Sequence, residues 1–340
     1  FPSSTLFRSI CKFSFLFALS LALALAVGFS ARSADYNPLV IDQSLQPTHV
    51  DLTVHDSARD RDIPVRVYLP TNAVPEPVIL FSHGLGGSRT GSVFLGEHWA
   101  ARGYVAVFLQ HPGSDDSVWK DVPNVGRFKA MQKAASLDNF LLRVKDVPAV
   151  LDQLAVWNAG KTSPLAGRMD LSKVGMSGHS FGAVTTEAVS GETLPMTGTK
   201  LTDPRIKAAV IFSPSTPKRG SAGKAFGDVK IPWMLMTGTK DLSPIGDADM
   251  ASRLGVYPEL HGAPKYEVVL NNAEHSVFTD RALPGDREPR NPNHHRVILA
   301  LSTAFWDAYL RDDAAAVAWL NGSGPRSVME PEDQWQFSAH

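Results

Sequence analysis

Cysteine is almost missing from this chain. The 340 residues contain one, Cys11, and it lies in an N-terminal segment unlike the rest. A thiolate nucleophile, a cysteine-held metal and a disulfide framework are therefore excluded from everything downstream. Charge of one sign is lacking too: 33 Lys and Arg against 34 Asp and Glu leave a net charge of -1, with no basic run and no acidic tail. Such a balance makes no field for nucleic acid or an anionic membrane, so no nucleic-acid partner is expected. No H-E-x-x-H or carboxylate cluster argues for a metal, and no G-K-[ST] follows a glycine-rich loop to make a phosphate site. No cofactor is called for. Internal repeats and low-complexity linkers are also absent, and no excursion is long enough to bury a core of its own, so a single domain over residues 35–340 is expected.

What is present begins with residues 1–34. Arg8 and Lys12 precede an apolar run from Phe13 to Val27, and small residues follow in Gly28-Phe29-Ser30-Ala31-Arg32-Ser33-Ala34. This is the charged, apolar and cleavage-site order of a secretory signal peptide. The run is about 15 residues, short of the about 20 that span a bilayer. Cleavage after Ser33 or Ala34 is expected over anchoring, leaving a secreted or periplasmic protein without a stable membrane span.

The remaining pattern is alternation of strands and helices. His49 to Val54 and Ile63 to Leu69 alternate polar and apolar, as an antiparallel pair at a sheet edge does; Pro64 is tolerable there. Val78-Ile79-Leu80-Phe81, Tyr104 to Leu109, Lys173 to Ser177, Ile206 to Phe212, Trp233 to Gly238 and Tyr266 to Leu270 are the further strands, mostly continuous apolar runs buried on both faces. Tyr266 to Leu270 reads as the last of them, with a polar tail closing the chain. Helical spacing runs through Leu137, Phe140, Leu141, Val144, Val147, Val150, Leu151 and Leu154, with a break or helix start expected at Pro148. His294 to Leu310 reads as an amphipathic helix. The fold class is α/β: a mostly parallel, doubly wound sheet of about eight strands with helices on both faces. Chemistry then belongs at the carboxyl ends of the strands.

Gly178-His179-Ser180-Phe181-Gly182 is a G-x-S-x-G pentapeptide between a strand and a helix. Such a turn forces the serine into a strained conformation and presents its Oγ at the sheet end. A Cβ at either flanking glycine would collide with its neighbours. The motif is weak alone, so its partners matter. A serine nucleophile needs a base, an acid to orient the base, and donors for the oxyanion; on this architecture the order is Ser, acid, His. Asp241, just past the strand Trp233 to Gly238, is the candidate acid, with Asp247 and Asp249 as rivals further from the strand end and helix capping as the alternative role. His275 is the candidate base. Of 11 histidines it alone has both the order and the strand-end position: His83 and His111 precede Ser180, His261 precedes the strand, and His294 and His295 start a helix where exposure is usual. Glu274 adjoins His275, but adjacent side chains rarely face each other, which favours Asp241. The oxyanion donors are expected to be the N–H of Phe181, at the helix N-terminus, and of Leu85, in the loop His83-Gly84-Leu85-Gly86-Gly87.

Phe81-Ser82-His83-Gly84-Leu85-Gly86, Arg89 and Gly178 to Gly182 resemble the serine-dependent α/β-hydrolases near the platelet-activating-factor acetylhydrolases and the bacterial exported dienelactone hydrolase-like esterases. His111-Pro112-Gly113-Ser114-Asp115 and Leu165 to Asp170 fit the bacterial branch. The resemblance spans roughly Asp51 to Leu310. It implies an α/β-hydrolase fold, no cofactor and carboxylic ester hydrolysis, with Ser180 as nucleophile and Leu85 and Phe181 as oxyanion donors. The acetylhydrolases place their acid one strand earlier, where this chain has Ser213-Pro214; Asp241 sits where cutinase-like polyester hydrolases have theirs. Dienelactone hydrolases proper use a cysteine nucleophile, and this chain has a serine.

The expected function is a secreted serine ester hydrolase acting through an acyl-enzyme on a small ester or polyester. A cutinase-like polyester hydrolase, or an acyltransferase, would use the same residues. A non-catalytic binding protein on this fold is the reading from another class, disfavoured because such proteins usually lack a triad member. Trp99, Trp119 and Trp233 are core or subsite walls; Trp119, in a loop after a strand, is the one expected to touch substrate.

Overall fold

The computed structural model describes residues 36–41, 46–283 and 285–339. The expected export segment, residues 1–34, lies outside them. Strands β1 (Thr48–Asp56) and β2 (Arg61–Leu69) pair antiparallel at one edge, Thr53 opposite Pro64. In β1 only Val54 is fully buried, which is what strict alternation with one solvated face gives. β3 (Glu76–Ser82), through its run Val78-Ile79-Leu80-Phe81, and β4 (Val105–Leu109) are apolar and buried on both faces. Each such side chain gains about 1.5–3 kcal/mol on leaving water, so these runs take the middle of the sheet.

The full sheet has nine strands in the order β1-β2-β4-β3-β5-β8-β9-β10-β11. β5 (Met169–His179), β8 (Ile206–Phe212), β9 (Trp233–Lys240) and β10 (Lys265–Glu274) run parallel to β3 and β4. Their carboxyl ends therefore share one edge of the molecule. A two-stranded hairpin, β6 (Thr193–Leu194) and β7 (Thr199–Lys200), stands apart. The ninth strand of the main sheet, β11 (Gln334–Ser338), corrects the expectation that β10 is the last and that the chain ends in a polar tail. It pairs antiparallel with β10, Phe337 opposite Tyr266, and those two rings stack at 6.0 Å.

Helices cover both faces. On one, α1 (Val93–Ala101) meets α8 (Pro292–Leu310): the Trp99 and Trp306 rings pack edge to face at 6.0 Å, and Trp99 Nε1 donates to Ser302 Oγ at 3.2 Å. On the other, Val144, Val147, Val150, Leu151 and Leu154 of α4 (Leu137–Ala159) join Val78, Leu80, Val105, Val107 and Met176 in one core, with α5 (Phe181–Ser190) beside them. Residues 38–340 form one compact unit.

Pro148 does not break α4, contrary to expectation. A proline inside a helix costs about 3 kcal/mol, and the buried residues on either side of Pro148 outweigh it. The break comes earlier, at Ala135–Ser136, between α3 (Asn124–Ala134) and α4, where Ser136 Oγ caps α4 by accepting from Asn139 N–H at 3.2 Å. Two short helices flank this region and the acid loop: α2 (Ser117–Lys120) before α3, and α7 (Met250–Leu254) after β9. Two more complete the chain, α6 (Ala222–Phe226) and α9 (Ala314–Asn321). Among the described residues no helix is long and apolar enough to cross a membrane.

Candidate active site

β5 ends at His179 and α5 begins at Phe181, so Ser180 is the whole turn between them. Its backbone lies at φ 57°, ψ -113°, a conformation that costs a non-glycine residue about 1–3 kcal/mol. Three contacts hold it there: Ser180 N–H donates to Phe212 O at 3.0 Å, and Ser180 O accepts from Ala183 and Val184. The flanking glycines are sterically required. A Cβ on Gly182 would lie 1.8 Å from Ser82 O, and one on Gly178 would lie 2.3 Å from Gly182 O. The helix start is thus pressed against the end of β3, which brings the glycine loop beside the serine; a Cβ on Gly84 would sit 3.4 Å from that of Ser180.

The base and acid arrive from the neighbouring strand ends. His275 opens a 3₁₀ turn immediately after β10, and Asp241 directly follows β9. His275 Nε2 lies 2.8 Å from Ser180 Oγ and His275 Nδ1 lies 2.6 Å from Asp241 Oδ1. Asp241 accepts, so Nδ1 carries the proton and Nε2 is free to accept from the hydroxyl. Asp241 Oδ2 accepts from Thr237 Oγ1 at 2.9 Å. Asp241 is fully buried. Burial alone would raise its carboxyl, but the His275 ring and the Arg253 guanidinium outweigh it and hold the group well below the usual carboxylate range. The rivals are engaged elsewhere: Asp247 accepts from Lys218 Nζ, Asp249 caps α7 through Ser252 N–H, and Glu274 accepts the N–H groups of Arg287 and Glu288.

Of the expected oxyanion donors, Phe181 is the first residue of α5, so its N–H has no helical partner. Leu85 sits between anchored neighbours: Gly86 N–H donates to Ser114 O at 2.8 Å and Gly87 N–H to Gly84 O at 3.0 Å. Trp119 lies on the short helix α2, not in a loop as expected. It is half-buried, and its Nε1 donates to Gly86 O at 2.8 Å. Met131 of α3 packs on the same glycine. Trp119 therefore buttresses the loop that carries Leu85. Trp99 and Trp233 are fully buried in the core.

Several residues that sequence reasoning passed over complete the site. Arg143 of α4 is fully buried and binds the underside of the glycine loop: Nη2 donates to Ser82 Oγ at 2.9 Å and to His83 O, Nη1 to Ser114 Oγ at 2.9 Å and Nε to Thr185 Oγ1 at 3.0 Å. His111 Nε2 accepts from Ser82 Oγ at 2.9 Å while its Nδ1 donates to Asp146 Oδ2 at 2.9 Å. Burial, then the Arg143 charge, push His111 down to about 4, so the ring is neutral and structural. His83 is neutral for the same reasons; its Nε2 accepts from His111 N–H and its Nδ1 donates to Gly84 O. His179 packs at a tilt against His275 with ring centroids 4.6 Å apart, and burial followed by the His275 ring lowers it well below the usual histidine range. His294, expected to be exposed at its helix start, is buried and lies 3.0 Å from Asn271 O; His295 stacks on Phe94 at 3.8 Å.

Behind the serine helix two buried carboxyls, Glu187 and Glu192, interact; Glu187 accepts Ser215 N–H at 3.1 Å. Burial lifts both, Glu192 to about 7. A carboxyl raised on folding binds its proton more tightly in the folded chain. Its contribution is complete below the ordinary value near 4.5 and is lost as pH rises through about 7. Glu192→Gln is therefore expected to raise stability at pH 8 by about 1–3 kcal/mol and to change it far less at pH 5. Thermal melts at the two pH values check this, and an equal rise at both would contradict it.

Among the described residues no group of three or more His, Cys, Asp or Glu is arranged to hold a metal ion. The arrangement offers a hydroxyl held against a histidine at the start of a helix, whose first N–H groups have no helical partner, and acyl transfer can use such equipment. A family model described as PETase, PET hydrolase-like, matches residues 65–283, from β2 through the His275 turn and well over half of the chain. No curated protein matches it.

Proposed function

The chain belongs to the PET hydrolase-like family, α/β-hydrolase-type serine esterases that cleave carboxylic esters, and from that membership we propose that Ser180, His275 and Asp241 are its catalytic triad. The observation that carries the reading is the unbroken hydrogen-bond chain from Ser180 Oγ through His275 to Asp241. Ser180 Oγ attacks the ester carbonyl as His275 Nε2 takes its proton. The Asp241 carboxylate holds the imidazole tautomer and stabilises the imidazolium that forms. The N–H groups of Leu85 and Phe181 receive the developing oxyanion, each worth about 3–4 kcal/mol of barrier in comparable sites. The tetrahedral intermediate collapses, the His275 proton passes to the leaving alcohol, and the acyl group stays on Ser180. Water then adds through the same base and releases the acid. An alcohol in place of water would give acyl transfer.

A polyester substrate is supported by the family and by one observation. The outer face of α3, whose Met131 packs on the glycine loop, leaves Val125 96% and Phe128 58% exposed. Exposed apolar side chains on the helix that packs on the glycine loop suit a solid or polymeric ester better than a small polar one. The test is a series of p-nitrophenyl esters of increasing acyl length run beside a polyester film. Organophosphonate-inhibited protein serves as the blank. Soluble products from the film, abolished by the inhibitor, support the polyester reading; turnover of short esters alone rejects it. Residues 1–34 carry the charged, apolar and small-residue order of an export signal, which supports a secreted or periplasmic location. N-terminal sequencing of exported protein, expected to start after Ser33 or Ala34, decides it.

A further inference from the structure

Arg253, on α7, is 2% exposed, and the chemistry above makes no use of it. Its guanidinium joins three strand ends. Nη1 donates to Ser213 O at 2.8 Å and Pro214 O at 3.0 Å, past β8. Nε donates to Asp241 O at 3.3 Å, past β9. Nη2 lies 3.3 Å from Asp241 Oδ1 and 3.5 Å from His275 Nδ1, past β10. Because Nδ1 directs its own proton at Asp241 Oδ1, the last contact is two donors converging on one oxygen, not a bond between them.

We propose that Arg253 is a positioning residue for ester hydrolysis: it locks the Asp241 carboxylate in the orientation His275 needs and sets a fixed positive charge against the imidazole, opposite in sign to the carboxylate that orients it. This inference rests on the Ser180-His275-Asp241 reading.

The locking follows from the donor set. Asp241 Oδ1 accepts from His275 and forms an ion pair with Arg253 at 3.3 Å, and Oδ2 accepts from Thr237, so rotation of the carboxylate would strand buried donors and part the buried charges. The anchor for the guanidinium is the pair of carbonyls at Ser213 and Pro214, the place where the acetylhydrolases carry their acid. The charge effect follows from what surrounds the ring. His179, packed at a tilt against it, is neutral through burial. Glu187, on α5 and within the field of Arg253, is raised well above the usual carboxylate range by burial. On the chain beyond β10, Glu274 is occupied by the Arg287 and Glu288 N–H groups, and Asp286 by Ser276 Oγ and Leu283 N–H. Asp241 and Arg253 are left as the opposed charges closest to the imidazole. Without Arg253 the carboxylate would act on the ring alone, favour the imidazolium, and remove the base at a higher pH.

The experiment is the pH dependence of kcat/KM on p-nitrophenyl acetate for the wild type, Arg253→Gln, Arg253→Lys and Ser180→Ala, between about pH 5 and 9. Arg253→Gln is expected to move the acid limb up by about one pH unit and to lower the plateau about 10- to 100-fold. Arg253→Lys keeps the charge without the fork; its limb is expected to stay at the wild-type position, with the plateau reduced by less than about tenfold. An acid limb of Arg253→Gln at the wild-type position overturns the proposal whatever the rate. If Arg253→Gln does not fold, an Arg253→Lys limb displaced upward by a full unit overturns it. Ser180→Ala separates the two levels: if it turns over ester at the wild-type rate the triad reading falls, and if it is inactive while the Arg253 limbs fail as described, only the role of Arg253 falls.

Discussion

Ser180→Ala is expected to lower turnover of p-nitrophenyl acetate by about 10⁶-fold. The size follows from how much of the site is built around one hydroxyl. The backbone strain at φ 57° presents Oγ to His275 Nε2 at 2.8 Å, and no other hydroxyl is bonded to that nitrogen. With the hydroxyl gone, water must attack from the position it held, and only binding and the oxyanion donors remain to assist. Alanine suits this backbone no worse than serine, so the fold should survive and the loss will report chemistry. Initial rates of the two proteins measure it. Mass spectrometry of phosphonate-treated protein supplies the complement: the wild type gains one adduct on the Ser180 peptide and the variant none. A variant rate within tenfold of wild type would remove Ser180 from the mechanism.

Asp241→Ala is expected to cost about 10⁴-fold in kcat and to destabilise the protein as well. The first effect is loss of the acceptor that fixes the proton on His275 Nδ1, which frees the ring to present N–H, not a lone pair, to Ser180. The second is that Arg253 keeps its carbonyl partners but loses its counter-charge while buried, a change worth about 3–5 kcal/mol. Asp241→Asn separates the two causes. Its amide oxygen can still accept from His275 and face Arg253 while its NH₂ turns to Thr237 Oγ1. Orientation is retained and charge is lost, so a smaller fall in kcat is expected. Rates and thermal melts of the two variants together measure this. If alanine and asparagine lose equally, charge alone accounts for Asp241.

The site residues expected from the sequence share a property: each stands at a strand end in a local pattern that means something by itself. Ser180 is bracketed by glycines, His275 and Asp241 each follow an apolar run, and Leu85 lies in a glycine-rich loop. Arg253 has no such pattern. It matters because α7 folds back over the ends of β8 and β9, and a pairing across the sheet leaves no mark in neighbouring residues. Arg143 and Asp146 did leave one. With Phe140, Val147 and Val150 they fall at helical spacing on the buried stripe of α4, so their charges point inward, where a polar partner is obligatory. Gln334-Trp335-Gln336-Phe337-Ser338 likewise alternates with the period of a strand, but a short run after a polar stretch reads as a tail until Tyr266 supplies its partner. Pro148 misled for a different reason: the rule against proline concerns hydrogen bonding, and here burial outweighs it.

The strand that delivers His275 is flanked on both sides, by β9 and by β11. Without β11, β10 would present a row of unsatisfied N–H and C=O groups to any other extended chain. With it, the outermost strands among the described residues are β1, which turns His49, Asp51 and His55 to solvent, and β11, which is short and carries Gln334 and Gln336 on its exposed side. Charged or brief margins are poor templates for further pairing. The sheet thus ends in borders that discourage chain-to-chain aggregation, which keeps the strand that delivers His275 from pairing with a second copy of the chain.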